Sequence, residues 1–273
     1  MASCINYSAI RKTPYGCIKE MNELRLIDTF SGIGGFSYAA EKLVGGFKTV
    51  AFVECEPYCQ KVLKKHWPEV PIYDDIKTYK PEPLSGDVLV AGFPCVDISF
   101  AGKQAGITKE TRSGLFYEII RLIRLVSPRF IVLENVAAII NNGLGIVLGE
   151  LASAGYSTEW CCIRASDLGG SHKRDRFFSV SYVANTNSER LQGLRPEYEL
   201  QEGCTERKAC WSPSRITLEP NWRRYISKPT VPRGDDVIPN WVHRSKRIKA
   251  LGNSLLPAVA AIPLQRVKDL SML

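Results

Sequence analysis

The chain has 273 residues, 45% of them hydrophobic and 23% charged, which supports one large globular domain or one domain with a smaller insert. The N-terminus, Met1-Ala2-Ser3-Cys4-Ile5-Asn6, lacks the basic start and apolar stretch of a signal peptide, no run reaches the length of a membrane span, and nine scattered cysteines do not form a secreted disulfide framework; a reducing cytoplasm is expected. Net charge is +8 and uneven: residues 1–183 carry 21 Lys/Arg against 19 Asp/Glu, residues 184–273 carry 15 against 9, the mark of either a polyanion-facing surface or a solvated basic face.

Residues 1–22 read as a tail or an extra helix. An apolar run over 24–27 then leads into Asp28-Thr29-Phe30-Ser31-Gly32-Ile33-Gly34-Gly35-Phe36, followed by a helical stretch through Ala39, Ala40 and Leu43. The run 49–53 ends at Glu54 before a helical 58–66, and a short Val70-Pro71-Ile72-Tyr73 ends at Asp74-Asp75-Ile76. Asp87-Val88-Leu89-Val90-Ala91 enters the turn Gly92-Phe93-Pro94-Cys95. Residues 99–113, polar with Gly102 and Gly106, read as a surface loop or a moving lid. Leu115, Ile119, Leu122, Ile123 and Val126 recur at helical spacing and predict a packed amphipathic helix over 114–126. The run 130–133, ending in Glu134-Asn135-Val136, completes the series. Apolar runs alternating with turns and helices predict an α/β fold of βαβ units around a parallel sheet. After Asn185 the pattern breaks into short pieces rich in Pro, Arg, Trp and Asn, a small irregular domain over 185–243; Ile248-Lys249-Ala250-Leu251-Gly252-Asn253-Ser254 and a final apolar helix follow.

In open α/β sheets ligands bind outside the carboxyl ends of the strands, so Gly32, Glu54, Asp75, Cys95 and Glu134 fall on one rim. Pro94 stiffens its turn and keeps Phe93 out of helical geometry, presenting the Cys95 thiol from a fixed elbow, as suits a nucleophile. A glutamate ending an apolar strand is costly to bury unless something binds it. Cysteine plus glutamate without a histidine partner argues against a papain-like protease. Gly32-x-Gly34-Gly35 lets the backbone approach a ligand, and Glu54, about twenty residues on, suits a ribose diol. Ser37 occupies the place of a dinucleotide fingerprint's third glycine, which disfavours a nicotinamide enzyme. Taken singly, Glu54 reads equally as a solvated strand end, Asp75 as a helix or turn cap, and Cys95 as a small buried hydrophobe. Cys55 and Cys59 lack a second ligand pair for zinc and read as helix packing, as do Cys161-Cys162 and Cys204 with Cys210; no metal is expected.

The segments 28–36, Gly92-Phe93-Pro94-Cys95-Val96-Asp97-Ile98-Ser99 and Glu134-Asn135-Val136 resemble, in order, the motifs of the DNA (cytosine-5)-methyltransferases of bacterial or phage type. Arg112-Ser113-Gly114-Leu115-Phe116, His172-Lys173-Arg174-Asp175-Arg176 and Ala250-Leu251-Gly252-Asn253-Ser254 resemble later motifs in register, so the likeness covers about 24–183 and 244–265. It implies a Rossmann-like S-adenosylmethionine-dependent methyltransferase sheet with a small irregular second domain. Residues 1–184 would be the catalytic and cofactor-binding domain, 185–243 the target-recognition domain, and 244–273 a segment returning to the catalytic domain. Phe30, Gly32, Ile33, Gly34 and Gly35 would surround S-adenosylmethionine, Glu54 hold its ribose, and Asp75 with Ile76 contact its adenine. Gly92, Pro94 and Leu115 would border that pocket, and Asn253 and Ser254 close it.

The resemblance makes Cys95 the thiolate that adds to cytosine C6, Glu134 the group at the N3 and N4 side of the base, and Arg174 and Arg176 the groups that bind O2 or hold the site. The target base must be flipped out of the duplex, with the 99–113 loop closing over it. Nearby arginines favour the thiolate. His172 stands where the family usually has glutamine, and Val96-Asp97-Ile98-Ser99 replaces the commoner Gln-Pro-Phe-Ser; an outward Asp97 is expected, since an inward acid would oppose ionisation of the thiol. By position 185–243 resembles the target-recognition region; its arginines, such as Arg190, Arg215 and Arg223, suit phosphates or guanine edges, while Trp211, Trp222 and Trp241 serve either recognition or the domain's own core. The expected partner is double-stranded DNA carrying a short site, with a cognate restriction endonuclease as a functional rather than physical partner; a monomer in a bacterial or phage-infected cell is implied. A tRNA cytosine-5 methyltransferase and a catalytically silent DNA-binding relative are the alternatives.

Overall fold

Three near-continuous apolar runs form the centre of the sheet: β1 (Leu24–Thr29), β4 (Val88–Gly92) and β5 (Phe130–Val136). Runs buried on both faces are what parallel strands covered by helices require. The computed structural model describes residues 23–94, 112–168, 174–183, 250 and 254–272. Outward from the centre lie β2 (Phe47–Val53) and the two-residue β3 (Ile72–Tyr73) on one side, β7 (Asp175–Val183) and β6 (Tyr156–Arg164) on the other. The order is β3-β2-β1-β4-β5-β7-β6, with β1 to β5 parallel and β7 antiparallel to both β5 and β6.

The β6–β7 pair extends the expected parallel series. No apolar run announces it, because β6 is half-exposed along most of its length and β7 interleaves Ser179 and Ser181 with its apolar residues. The strand at 130–133 also runs further than its apolar stretch, so Glu134 lies inside β5, opposite Gly92 of β4 and Phe178 of β7. The helical stretch after the glycine turn is α1 (Gly35–Tyr38) continued by a π-helical Ala39–Val44.

On one face of the sheet, α1, its π-helical continuation and α6 (Pro257–Ser271) cover Leu26, Val88, Val90, Val132, Phe178 and Val180. On the other, α3 (Phe116–Val126), entered through a 3-10 turn at Arg112–Leu115, and α5 (Leu144–Ser153) cover Ile27, Leu89, Ala91, Ile131, Leu133 and Phe177. The short α4 (Ile139–Asn142) precedes α5, and α2 (Pro57–His66) follows β2 with Pro57 in its first turn, where a missing N–H costs nothing. Apolar residues at helical spacing put Phe116, Ile119, Ile120, Leu122, Ile123 and Val126 of α3 in the core, as its periodicity predicts. Arg266 of α6 ties the last helix to β6 through Glu159, at 2.7 and 2.9 Å.

Chain order reverses between β1 and β4, which lie side by side, and the Thr29 hydroxyl donates to Val90 O at 2.9 Å across that junction. A crevice at such a switch point is where an α/β sheet binds its ligand. Cys95, His172, Lys173, Asn253, Asp97 and segments 1–22, 99–111 and 185–243 lie outside the described residues, so the expectations placed on them stand as expectations.

Candidate active site

The turn after β1 takes a left-handed backbone at Phe30 (φ 54°), Gly32 (φ 55°) and Gly34 (φ 86°). Gly34 is required there for a second reason: a Cβ would lie 2.7 Å from the Trp67 ring, and the indole N–H is held by Glu41 at 2.9 Å. A Cβ on Gly35 would sit 3.0 Å from Leu255 O, so the C-terminal segment packs directly on the turn, with the half-buried Ser254 just before the contact. At Gly32, by contrast, a Cβ would meet nothing within 4 Å; this side of the turn is open. Beneath the turn Asp28 is fully buried, and its Oδ2 accepts the Ser37 hydroxyl at 2.7 Å and the Ser37 N–H at 3.3 Å. Its Oδ1 has no hydrogen-bond partner. Burial pushes this carboxyl up to about 7, Ser37 opposes the shift, and the Glu54 charge adds to it. Ser37, notable in the sequence only as an absent glycine, is the buried acid's partner.

Glu54, at the tip of β2, is pre-oriented by two backbone donors: Gly32 N–H to Oε2 at 2.7 Å and Glu56 N–H to Oε1 at 2.8 Å. A carboxylate has about four acceptor positions, so this one keeps capacity for a diol. It lines a cavity of about 230 Å³ together with Phe30, Asp75, Ile76, Leu115, Val53, Cys55, Asp74 and Lys77. Five residues expected to bind cofactor, Phe30, Glu54, Asp75, Ile76 and Leu115, therefore converge from four separate segments. Ile33, Gly34 and Gly35 belong to the turn beside the cavity, and Gly92 and Pro94 to the tip of β4. Asp75 also caps its own turn, Oδ1 accepting Lys77 N–H at 2.9 Å, which is the alternative role its sequence context allowed. Cys59 is buried in α2 while Cys55 is exposed at the cavity.

Further along the rim, Glu134 Oε1 meets Arg176 Nε at 2.8 Å, with 15% of the Glu134 side chain exposed. Burial pushes this carboxyl above its ordinary range, while the Arg176 and Arg174 guanidiniums pull the other way. A Cβ on Gly92 would lie 3.2 Å from Glu134 Oε2, so the glycine lets the tip of β4 rest against the carboxyl. Phe93 is 3% exposed and packs on Phe116, ring centroids 5.5 Å apart. Its carbonyl accepts Asn135 Nδ2 at 3.2 Å, and Asn135 Oδ1 accepts the Val136 N–H at 2.8 Å. Asn135 thus holds the backbone two residues before Cys95. The motif Glu134-Asn135-Val136 assigns Asn135 no role; its signal is its place beside a strand-borne glutamate, which sends its side chain to the opposite face.

A parallel sheet extended by the antiparallel β7 and β6, with chain order reversing between β1 and β4 and a cavity at the ends of β1 to β3, defines a Rossmann-like methyltransferase fold. Residues 24–261 match the model of the C-5 cytosine-specific DNA methylase family, and the chain belongs to that family. It is 33% identical over 174 residues to the Type II methyltransferase M.NlaIV of Neisseria lactamica, covering 58% of this chain and 41% of the relative. It is 31% identical over 182 residues to the Type II methyltransferase M.HhaI of Haemophilus parahaemolyticus, covering 65% and 55%. The chain spans about half the length of these curated relatives. The crystal structure of the S. pombe Dnmt2 methyltransferase superposes with a TM-score of 0.50 at 17% identity, covering 67% of this chain and 59% of that one, a likeness of fold alone. Among the described residues no helix is long and apolar enough to cross a membrane.

Proposed function

We propose that the chain transfers the methyl group of S-adenosylmethionine to C5 of a cytosine flipped out of a short duplex DNA sequence. The observation that carries this reading is the Glu134–Arg176 pair at 2.8 Å, set against Gly92 on the same rim as the Glu54 cavity. Family membership supports the reaction class. The cavity suits the cofactor: Glu54 with spare acceptor positions, Asp74 and Asp75 beside it, apolar surfaces from Phe30, Ile76 and Leu115, and open space at Gly32. When bound, S-adenosylmethionine supplies an electrophilic methyl group on a sulfonium. Glu54 would hold the ribose, Asp75 and Ile76 the adenine, the turn 32–35 the remainder, and Gly92, Pro94, Asn253 and Ser254 the border.

Cytosine C5 is a poor nucleophile. The Cys95 thiolate would add to C6, and the electrons of the C5–C6 bond would move into the ring toward N3 and O2, leaving an enamine whose C5 would take the methyl group as the methyl–sulfur bond breaks, its electrons staying on sulfur and S-adenosylhomocysteine leaving. Glu134, whose burial favours the protonated carboxyl, would donate to N3 and accept from the N4 amino group, stabilising the charge that develops. Arg176 would keep that carboxyl in place and Arg174 meet O2. Loss of the C5 proton to a base then re-forms the double bond as the Cys95 sulfur departs with its electron pair. The basic 184–273 segment would face the phosphates, and a restriction endonuclease sharing the site would be a functional partner only.

The test is bisulfite sequencing of plasmid DNA from a host free of cytosine methylation expressing this chain, beside Cys95→Ala. Protected cytosines in one short motif, absent with Cys95→Ala, are expected. None from soluble wild-type protein would overturn the duplex-DNA reading and turn the search to tRNA or to a silent DNA-binding role.

A further inference from the structure

Arg121 sits in the middle of α3 and reaches back to the turn that follows β3. Its Nη2 donates to Ile76 O at 2.6 Å and to Tyr79 O at 3.1 Å, its Nη1 to Tyr79 O at 3.1 Å, and its Nε to Glu118 Oε2 at 2.6 Å. A planar guanidinium spanning two carbonyls sets their separation and orientation, which a lysine's single ammonium cannot do. Both carbonyls belong to the turn whose residues Asp75, Ile76 and Lys77 wall the 230 Å³ cavity, while Leu115, at the entry to α3, lines it as well. The same helix thus supplies one part of the wall directly and holds another through Arg121. Ile76 and Tyr79 also bury their side chains in the core, Tyr79 against Tyr73 at 4.4 Å between ring centroids, but the N–H groups of Lys77, Thr78 and Tyr79 bond back to Asp75, so it is Arg121 that hydrogen-bonds the turn to α3. Arg121 itself does not line the cavity.

We infer that Arg121 is a positioning residue for the cofactor, holding the 75–79 turn at the spacing from Leu115 that the ligand requires; this rests on the proposed assignment of the cavity to S-adenosylmethionine. Removing the clamp lets the turn relax, which weakens binding equally before and during methyl transfer. Such a loss raises KM and leaves kcat alone.

The experiment measures S-adenosylhomocysteine binding by titration calorimetry, and KM for S-adenosylmethionine and kcat on plasmid DNA, for the wild type, Arg121→Met and Arg121→Lys. Arg121→Met is expected to raise both Kd and KM about tenfold with kcat within about twofold, the size of one well-made hydrogen bond to a charged group, and Arg121→Lys to fall between. A fall in kcat at unchanged KM and Kd would mark a merely structural role and overturn the inference. Should Arg121→Met not fold, Glu118→Gln loosens the clamp from behind; a two- to threefold rise in Kd, about half a kcal/mol, is expected, and an unchanged Kd overturns the inference. Wild type that binds no S-adenosylhomocysteine would remove the proposed function and this inference with it, whereas wild type and variants binding alike would remove the inference only.

Discussion

Asp28 and Glu134 are both strand-borne acids, and their surroundings separate them. Glu134 keeps 15% of its side chain exposed and has Arg176 at 2.8 Å, whereas Asp28 is fully buried with a hydroxyl and an amide as its partners. Burial pushes both carboxyls up, opposed at Glu134 by its guanidiniums; Asp28, with no cation as partner, is pushed up to about 7 from the ordinary 3.8. Between those values the folded chain holds a proton that the unfolded chain has released, so stability from this group is complete below about pH 4 and is lost as pH rises toward about 7. Asp28→Asn, neutral throughout, has no such slope. Urea denaturation from pH 4.5 to 7.5 should therefore show wild type losing ground to Asp28→Asn by up to about 1.4 kcal/mol per pH unit. Parallel pH profiles would refute a neutral Asp28. Sequence order made the acids at 54, 75 and 134 legible as rim residues and showed Asp28 only as part of the turn motif, but which acids were paired and which buried depended on neighbours brought from other segments.

At the scale of elements, β5 does two jobs through strand alternation. Glu134 and Asn135 point to opposite sides of the sheet, one toward Arg176 and the other to the carbonyl of Phe93. Asn135→Ala would leave that carbonyl without its donor at a site 1% exposed, at a cost of about 1–3 kcal/mol, and would loosen the Phe93 backbone, two residues before the proposed nucleophile Cys95. Chemical denaturation and initial methylation rates test this together: lower stability with a reduced kcat is expected, and full kcat would show that the elbow holds itself. Strands β1, β2, β4 and β5 were legible as apolar runs because burial on both faces leaves no alternation to obscure them. The pair β6–β7 was not, since β6 is a half-solvated edge strand and the buried β7 interleaves serines with its apolar residues. Nor was the π-helical turn at Ala39–Val44, whose apolar spacing differs too little from an α-helix's to be seen locally.

For the whole molecule, the question is what brings the chain's end back to its beginning. α6 buries Val259, Ala260, Ala261, Ile262, Leu264 and Val267 in the core that also holds Leu26 and Phe36, and Leu255 rests on Gly35. Arg266 reaches Glu159, 107 positions earlier, through two hydrogen bonds, and Lys268 donates to Val44 O at 3.0 Å. With side chains 19% and 26% exposed, the Arg266–Glu159 pair should show a coupling of about 1 kcal/mol in a double-mutant cycle using Arg266→Met and Glu159→Gln. Zero coupling would mean that apolar burial alone docks α6.

What the amino-acid sequence determined by itself was local: the order of turns and apolar runs, glycine where the backbone turns left-handed, proline before the cysteine, and a helix whose apolar residues recur every three or four positions. These follow from the steric and solvation demands of a few adjacent residues, so neighbouring letters suffice to show them. The tertiary structure alone decided the partnerships: Glu134 with Arg176, Asn135 with Phe93 42 residues away, Arg121 with the 75–79 turn, and Arg266 with Glu159. Hydrogen bonds reach about 3 Å, and which distant groups come that close is set by strand order and register, where one residue of slip would turn every side chain to the other face.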